Sequence, residues 1–246
     1  MSFNIKKPYN LHEIIQKADA GDPEAMFDAV CAIDIDRLED HDPEDNLVSR
    51  RLSYLFKLSE IEGYENVLIT LGTTYEQGKG VQKDAQEAIR WYEKAVEAGI
   101  PFGNECIGMI YYTGNGVPVD YKKAYEYFTK DETEVSVCTI YALGEMYRQG
   151  LYVEKDLEEA LECYEDIVYD DSTFIELDDY YWRACYRLGQ ALHYGWGTEV
   201  DIDEAVDVLS TAKRLFDQQD EKAEDITKEE LYHEWMLVNQ DAGTSK

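Results

Sequence analysis

Leu71-Gly72-Thr73-Thr74-Tyr75-Glu76-Gln77-Gly78-Lys79-Gly80-Val81 opens a block that returns along the chain every 36 residues. Ile107-Gly108 and Leu143-Gly144 repeat its first pair, Tyr111 and Tyr147 its tyrosine, and Gly114 and Gly150 its first loop glycine. Asp84, Asp120 and Asp156 then open a second segment with Ala88, Ala124 and Ala160 and the bulky pairs Trp91-Tyr92, Tyr127-Phe128 and Cys163-Tyr164. A fourth copy carries Leu188-Gly189, Gly195, Gly197, Asp201, Ala205 and Val208-Leu209, displaced from the third by one period and a nine-residue insertion. A period of this length means a stacked solenoid, because one such unit cannot bury its apolar face alone.

Each unit reads as two antiparallel helices. Leu68, Leu71, Gly72 and Tyr75 fall at helical spacing and give one apolar stripe. Glycine in mid-helix costs roughly 1 kcal/mol against alanine, so its return at 72, 108, 144 and 189 predicts a close approach of the two helices there. Gly78 stops the first helix, since glycine takes the left-handed cap conformation without steric cost. Asp84 with Glu87 restarts it as an acidic version of a capping box, repeated at Asp156/Glu159 and Asp201/Glu204, whereas Lys123 follows Asp120. The glycines, caps and paired aromatics are expected to be packing residues.

The string from Leu71-Gly72 through Tyr75, Gly78, Gly80-Val81, Asp84, Glu87-Ala88, Trp91-Tyr92, Ala95 and Ala98-Gly99 closely resembles the Sel-one-like repeat, an α/α relative of the tetratricopeptide repeat. The second unit matches nearly as well, with Gly114-Asn115-Gly116-Val117. The third has Tyr152 in place of the second loop glycine, and the fourth has Leu192 at the tyrosine and Thr198 at the valine. The resemblance covers about residues 65 to 215. Upstream, Ala18-x-Ala20-Gly21-Asp22-Pro23-Glu24-Ala25 looks like a repeat junction, and Leu55-Phe56 stands one period before Trp91-Tyr92. The expected organisation is one all-α domain: a degenerate repeat region over 1–64, repeats over 65–99, 100–135, 136–180 and 181–218, and a capping helix and tail over 219–246. The expected shape is a right-handed α/α superhelical solenoid. The resemblance implies a binding scaffold without catalytic residues.

The chain has 246 residues and a net charge of −30, from 23 basic and 53 acidic side chains. That balance argues against nucleic acid or an anionic membrane as partner, since both are polyanions read by lysine and arginine. A protein or peptide with a basic surface fits it. The five cysteines, at 31, 106, 138, 163 and 185, have no close ligand spacing and read as reduced core residues, with no metal and no cofactor. No apolar stretch has the length of a membrane span or the form of a signal peptide, so a cytoplasmic monomer is expected.

Three segments depart from the repeat. Asp34 to Asp45 crowds seven carboxylates around His41 but lacks the glycine that turns an EF-hand loop, and reads as a solvated connection. Tyr169 to Asp179 is the insertion between the third and fourth units, expected at the surface. Thr227-x-x-Glu230 is a capping box that opens a closing helix with Leu231, Trp235, Leu237 and Val238. Catalysis finds little support. His12, His41, His193 and His233 occupy unrelated repeat positions, none beside a nucleophile in a recognisable motif, and Gly78-Lys79-Gly80 is a repeat turn and not a phosphate loop.

If the first helix of each unit lines the concave face, as in the tetratricopeptide family that the chain resembles, the lining comprises Ile69, Thr73 and Glu76; Glu105, Met109 and Tyr112; Tyr141, Glu145 and Arg148; and Tyr186, Gln190 and His193. Tyrosines give contact area at low entropy cost, and the glutamates give an acidic lining suited to a basic peptide. The expected role is a non-catalytic protein-binding scaffold. The alternative is an acidic inhibitor or immunity-type protein that masks a basic enzyme by charge.

Overall fold

The short glycine turns and aspartate caps cut the chain into helices throughout. In the computed structural model the described residues are 11–33, 46–130, 135–170, 179–218 and 226–244, and they contain twelve α-helices and no strand. The acidic stretch 34–45, residues 171–178 of the insertion and residues 219–225 before the closing helix lie outside them. Two compact units are present, residues 1–120 and 121–246.

The first unit holds α1 (Leu11–Asp19), α2 (Pro23–Ala32), α3 (Leu47–Leu58), α4 (Val67–Gln77), α5 (Ala85–Glu97) and α6 (Phe102–Thr113). Each packs on the next in chain order, the nearest-neighbour pattern of a helical-repeat solenoid. The Ala18 to Ala25 junction is the turn between α1 and α2: Gly21 has φ 97° and Asp22 caps α2 by accepting from Glu24 N and Ala25 N. Tyr54 of α3 is buried and donates to Asp19 at 2.6 Å, and Arg50 pairs with the same carboxylate.

The second unit holds α7 (Tyr121–Phe128), α8 (Val137–Gln149), α9 (Leu157–Val168), α10 (Asp179–Tyr194), α11 (Ile202–Phe216) and α12 (Lys228–Thr244). Here the first helices also meet each other: α8 touches α10, and α10 touches α12. The closing helix α12 buries Leu231 and Val238 and opens with a reciprocal capping box, Thr227 N donating to Glu230 at 2.8 Å and Glu230 N to Thr227 Oγ1 at 3.2 Å.

Three of the recurring mid-helix glycines, Gly72, Gly144 and Gly189, act as the period predicts. A Cβ on Gly72 would overlap the ring of Tyr92, one on Gly189 would overlap Leu209, and one on Gly144 would stand 2.8 Å from Cε1 of Tyr164. Gly78, Gly114, Gly150 and Gly195 end their helices at φ 74°, 70°, 71° and 71°. At the second loop position Gly80, Gly116 and Gly197 are left-handed too, and Tyr152 takes the same conformation at φ 70°, strained for a residue with a Cβ. Its exposed ring lies 5.9 Å from that of Tyr125.

The helix starts differ from the expected boxes. Asp84 and Asp156 each accept from two backbone N–H groups of the following turn, and Asp201 accepts from Glu204 N. The return bond from the third-position glutamate is replaced. The N–H groups of Asp84, Asp120, Asp156 and Asp201 donate instead to the carbonyls of Tyr75, Tyr111, Tyr147 and Leu192, at 2.9 to 3.0 Å. Each backbone bond ties the start of the second helix to the end of the first and takes up the N–H that the glutamate would have bound, so the glutamate can vary, whereas the carboxylates of Asp84, Asp156 and Asp201 still cap the following turn. The cysteines also depart from the core reading: Cys185 is buried, Cys106, Cys138 and Cys163 are half-buried, and Cys31 is exposed. Burial and the neighbouring carboxylates push the Cys163 thiol up to about 12.

Candidate protein-contact face and its buried counterpart

The first helices of the first unit keep their predicted lining partly exposed. Ile69, Thr73 and Glu76 of α4 and Glu105, Met109 and Tyr112 of α6 are all half-buried. Glu76 accepts from the Tyr92 hydroxyl at 2.7 Å and from the Asn115 amide at 3.1 Å. Thr73 shares the Tyr92 hydroxyl at 3.2 Å. Both partners of Glu76 are neutral, so its negative charge stays uncompensated at this face. Tyr92 has its own ionisation pushed far up, by burial first and by Glu76 after it, and stays a hydrogen-bond donor.

In the second unit the same repeat positions turn inward. Tyr141, at 4% exposure, lies among the rings of Tyr164 and Tyr180, with centroids 6.1 and 5.5 Å away. Tyr186, Glu145 and His193 are buried as well, and Arg148 and Gln190 are half-buried. Tyr141, Glu145, Tyr186 and His193 are therefore buried where an open groove lining was expected: Tyr164 of α9 lies against Tyr141 and Glu145, and Glu234 and Asp241 of α12 lie against His193. Gln190 donates to the Tyr186 hydroxyl at 3.0 Å.

Glu145 is the centre of this interior. It accepts from Arg148 Nε and Nη2 at 2.9 and 2.7 Å, from the Gln149 amide at 2.8 Å, from the Tyr164 hydroxyl at 2.8 Å and from Arg187 Nε at 2.9 Å. Burial alone would raise this carboxyl, but the Arg148 hydrogen bonds and the two guanidinium charges outweigh it and pull it down to about 2. Tyr164 is to Glu145 what Tyr92 is to Glu76. The tyrosine keeps its repeat position while the acid moves from four residues after the helix glycine to one.

His193 joins the last repeat to the closing helix. One ring nitrogen meets Glu234 at 2.7 Å and the other Asp241 at 2.9 Å, and the Tyr194 hydroxyl donates to Glu234 at 3.1 Å. Burial would lower the imidazole, but the two carboxylates hold it above its ordinary value. No signal in the sequence marked Glu234, Asp241 or Arg187 as partners, because they lie 41 to 48 residues from the groups they bind. No group of His, Cys, Asp and Glu suited to a metal ion occurs among the described residues. None of their helices is long and apolar enough to cross a membrane.

With the helix pairs in place, the family comparison is direct: the Sel1 repeat matches residues 71–100, 107–130, 140–165 and 182–207. The chain is a Sel1-repeat protein. Proteins of this family generally serve as non-catalytic scaffolds for protein–protein contact. Among solved structures, a Sel1 repeat protein from Oxalobacter formigenes aligns with a TM-score of 0.64 at 20% identity, over 96% of this chain and 59% of that one. A protective antigen of uropathogenic Escherichia coli displaying an SLR fold aligns with a TM-score of 0.37 at 20% identity, over 96% of this chain and 65% of its own. The chain thus spans 59% and 65% of the length of these relatives.

Proposed function

We propose that this Sel1-repeat chain is a non-catalytic protein-binding scaffold whose contact face is formed by the first helices of the first unit, α4 and α6, and that it takes a basic segment of its partner. The observation that carries this reading is the contrast between two carboxylates. Glu145 is buried and neutralised by two guanidiniums, whereas Glu76 is half-exposed and held by neutral donors alone. Glu105, Met109 and Tyr112 on the next first helix stand half-exposed. Acidic groups beside an aromatic and a thioether suit a partner lysine or arginine flanked by apolar side chains. The net charge of −30 favours the same partner by steering. A cytoplasmic, monomeric setting completes the reading.

The test is the affinity of a partner isolated with the wild-type chain. Tyr112→Ala should weaken binding by about 1 kcal/mol or more, mainly through faster dissociation. The combined change Glu76→Gln and Glu105→Gln should slow association and flatten its salt dependence. A strong salt effect with Tyr112→Ala silent would favour charge masking of a basic enzyme instead.

A further inference from the structure

Two guanidiniums share one carboxylate in the second unit, which leaves a positive charge in excess within a strongly acidic chain. Arg148 of α8 and Arg187 of α10 both bond Glu145, and their side chains are 23% and 13% exposed against 7% for the carboxylate. Glu145 is saturated by Arg148, Gln149, Tyr164 and Arg187. Arg187 spends Nη1 on Gln190 at 3.1 Å. Arg148 is held through Nε and Nη2, so its Nη1 carries two N–H donors with no partner among the described residues. The charges of the two guanidiniums act against each other.

Among the described residues, the neighbouring groups do not balance the excess. Tyr164 and Tyr186 are neutral, burial above all holding their hydroxyls well above the ordinary tyrosine range. Glu230 of α12 is a second carboxylate that feels Arg187, and it is engaged at its own helix start, accepting from Thr227 N and Oγ1 at 2.8 Å each. Partly desolvated cations are costly without a counter-charge, and guanidinium donors are geometrically matched to carboxylate oxygens.

We propose that Arg148 and Arg187 form a receiving site for one carboxylate carried by a protein partner, with Arg148 Nη1 as its principal donor. The excess is a single charge, so a monoanion neutralises it, whereas a dianion such as phosphate would meet added repulsion from the acidic chain. The site is independent of the face proposed in the first unit and has the opposite sign.

The test is a titration of the intact ¹⁵N-labelled protein, read at the Nε–Hε resonances of its arginines. Five probes are compared at equal ionic strength: N-acetylglycine, which offers a terminal carboxylate; N-acetylglutamate N-methylamide, which offers a side-chain carboxylate; N-acetylglycinamide; inorganic phosphate; and sodium chloride. The expected result is saturable shifts of Arg148 and Arg187 with the carboxylates alone, the tighter of the two showing whether a chain end or an acidic side chain fits. In Arg148→Gln the carboxylate affinity, read at Arg187, should fall at least fivefold. Equal shifts with sodium chloride, no saturable shift with either carboxylate, or tighter binding of inorganic phosphate would each overturn the proposal. The wild-type titration decides even if the variant is unstable.

Discussion

Gly72 and Tyr92 approach so closely that any Cβ on the glycine would occupy the space of the tyrosine ring, and the ring cannot swing away freely because its hydroxyl is held by Glu76. The same contact recurs between Gly144 and Tyr164, and with leucine in place of tyrosine between Gly189 and Leu209. It is the reason a helix-weakening residue is kept at mid-helix at positions 72, 144 and 189.

Gly72→Ala should therefore destabilise the protein by about 1–3 kcal/mol through overpacking, although alanine is the better helix former by roughly 1 kcal/mol. Glu93→Ala, on the exposed side of α5, should stay within about 0.5 kcal/mol of the parent. Denaturant unfolding of both variants gives the comparison. A Gly72→Ala protein as stable as the parent would refute the close-approach account.

The two tyrosine-bound glutamates should respond unequally to neutralisation. Glu145→Gln leaves two partly buried guanidiniums facing each other without their counter-ion, a loss of about 3–5 kcal/mol. Glu76→Gln exchanges hydrogen bonds with neutral donors and should cost about 1 kcal/mol. Because the Glu145 carboxyl is held down to about 2, its contribution is present above the ordinary carboxylate range and fades as pH falls towards 2. The unfolding free energy of Glu145→Gln should accordingly depend less on pH between 5 and 2 than that of the parent. Equal losses in the two variants would count against the charge assignment.

The repeat was legible because its marks are local. A glycine, a cap aspartate or an aromatic pair does the same work in every copy, and 36 residues later it reappears. The role of a lining residue is not local. Tyr141 and Ile69 hold equivalent positions, yet one lies under Tyr164 and Tyr180 and the other stays half-exposed, because what covers the position comes from a neighbouring helix whose residues differ. Glu145 read as groove acid for the same reason: the residue that buries its charge, Arg187, is 42 positions away, and no repeat rule places an arginine there.

The clasp between His193 and the closing helix should weaken as pH rises. Its imidazole is held above the ordinary value, so its contribution is full below about pH 6.5 and is lost as pH climbs through the raised value, when the neutral ring can donate to only one of Glu234 and Asp241. Between pH 6 and pH 9 the parent should lose about 1–2 kcal/mol more unfolding free energy than His193→Gln. Parallel pH profiles for the two proteins would contradict the clasp.

The contact face itself is tested most directly by site-specific photo-crosslinking in the native cell. A benzophenone side chain would replace Tyr112 on the first helix α6, or Glu93 on the exposed side of the second helix α5. The account predicts a discrete protein adduct from position 112, diminished when Glu76→Gln and Glu105→Gln are added, and none of comparable yield from position 93. An adduct at 93 with none at 112 would contradict the assignment of the binding face to the first helices.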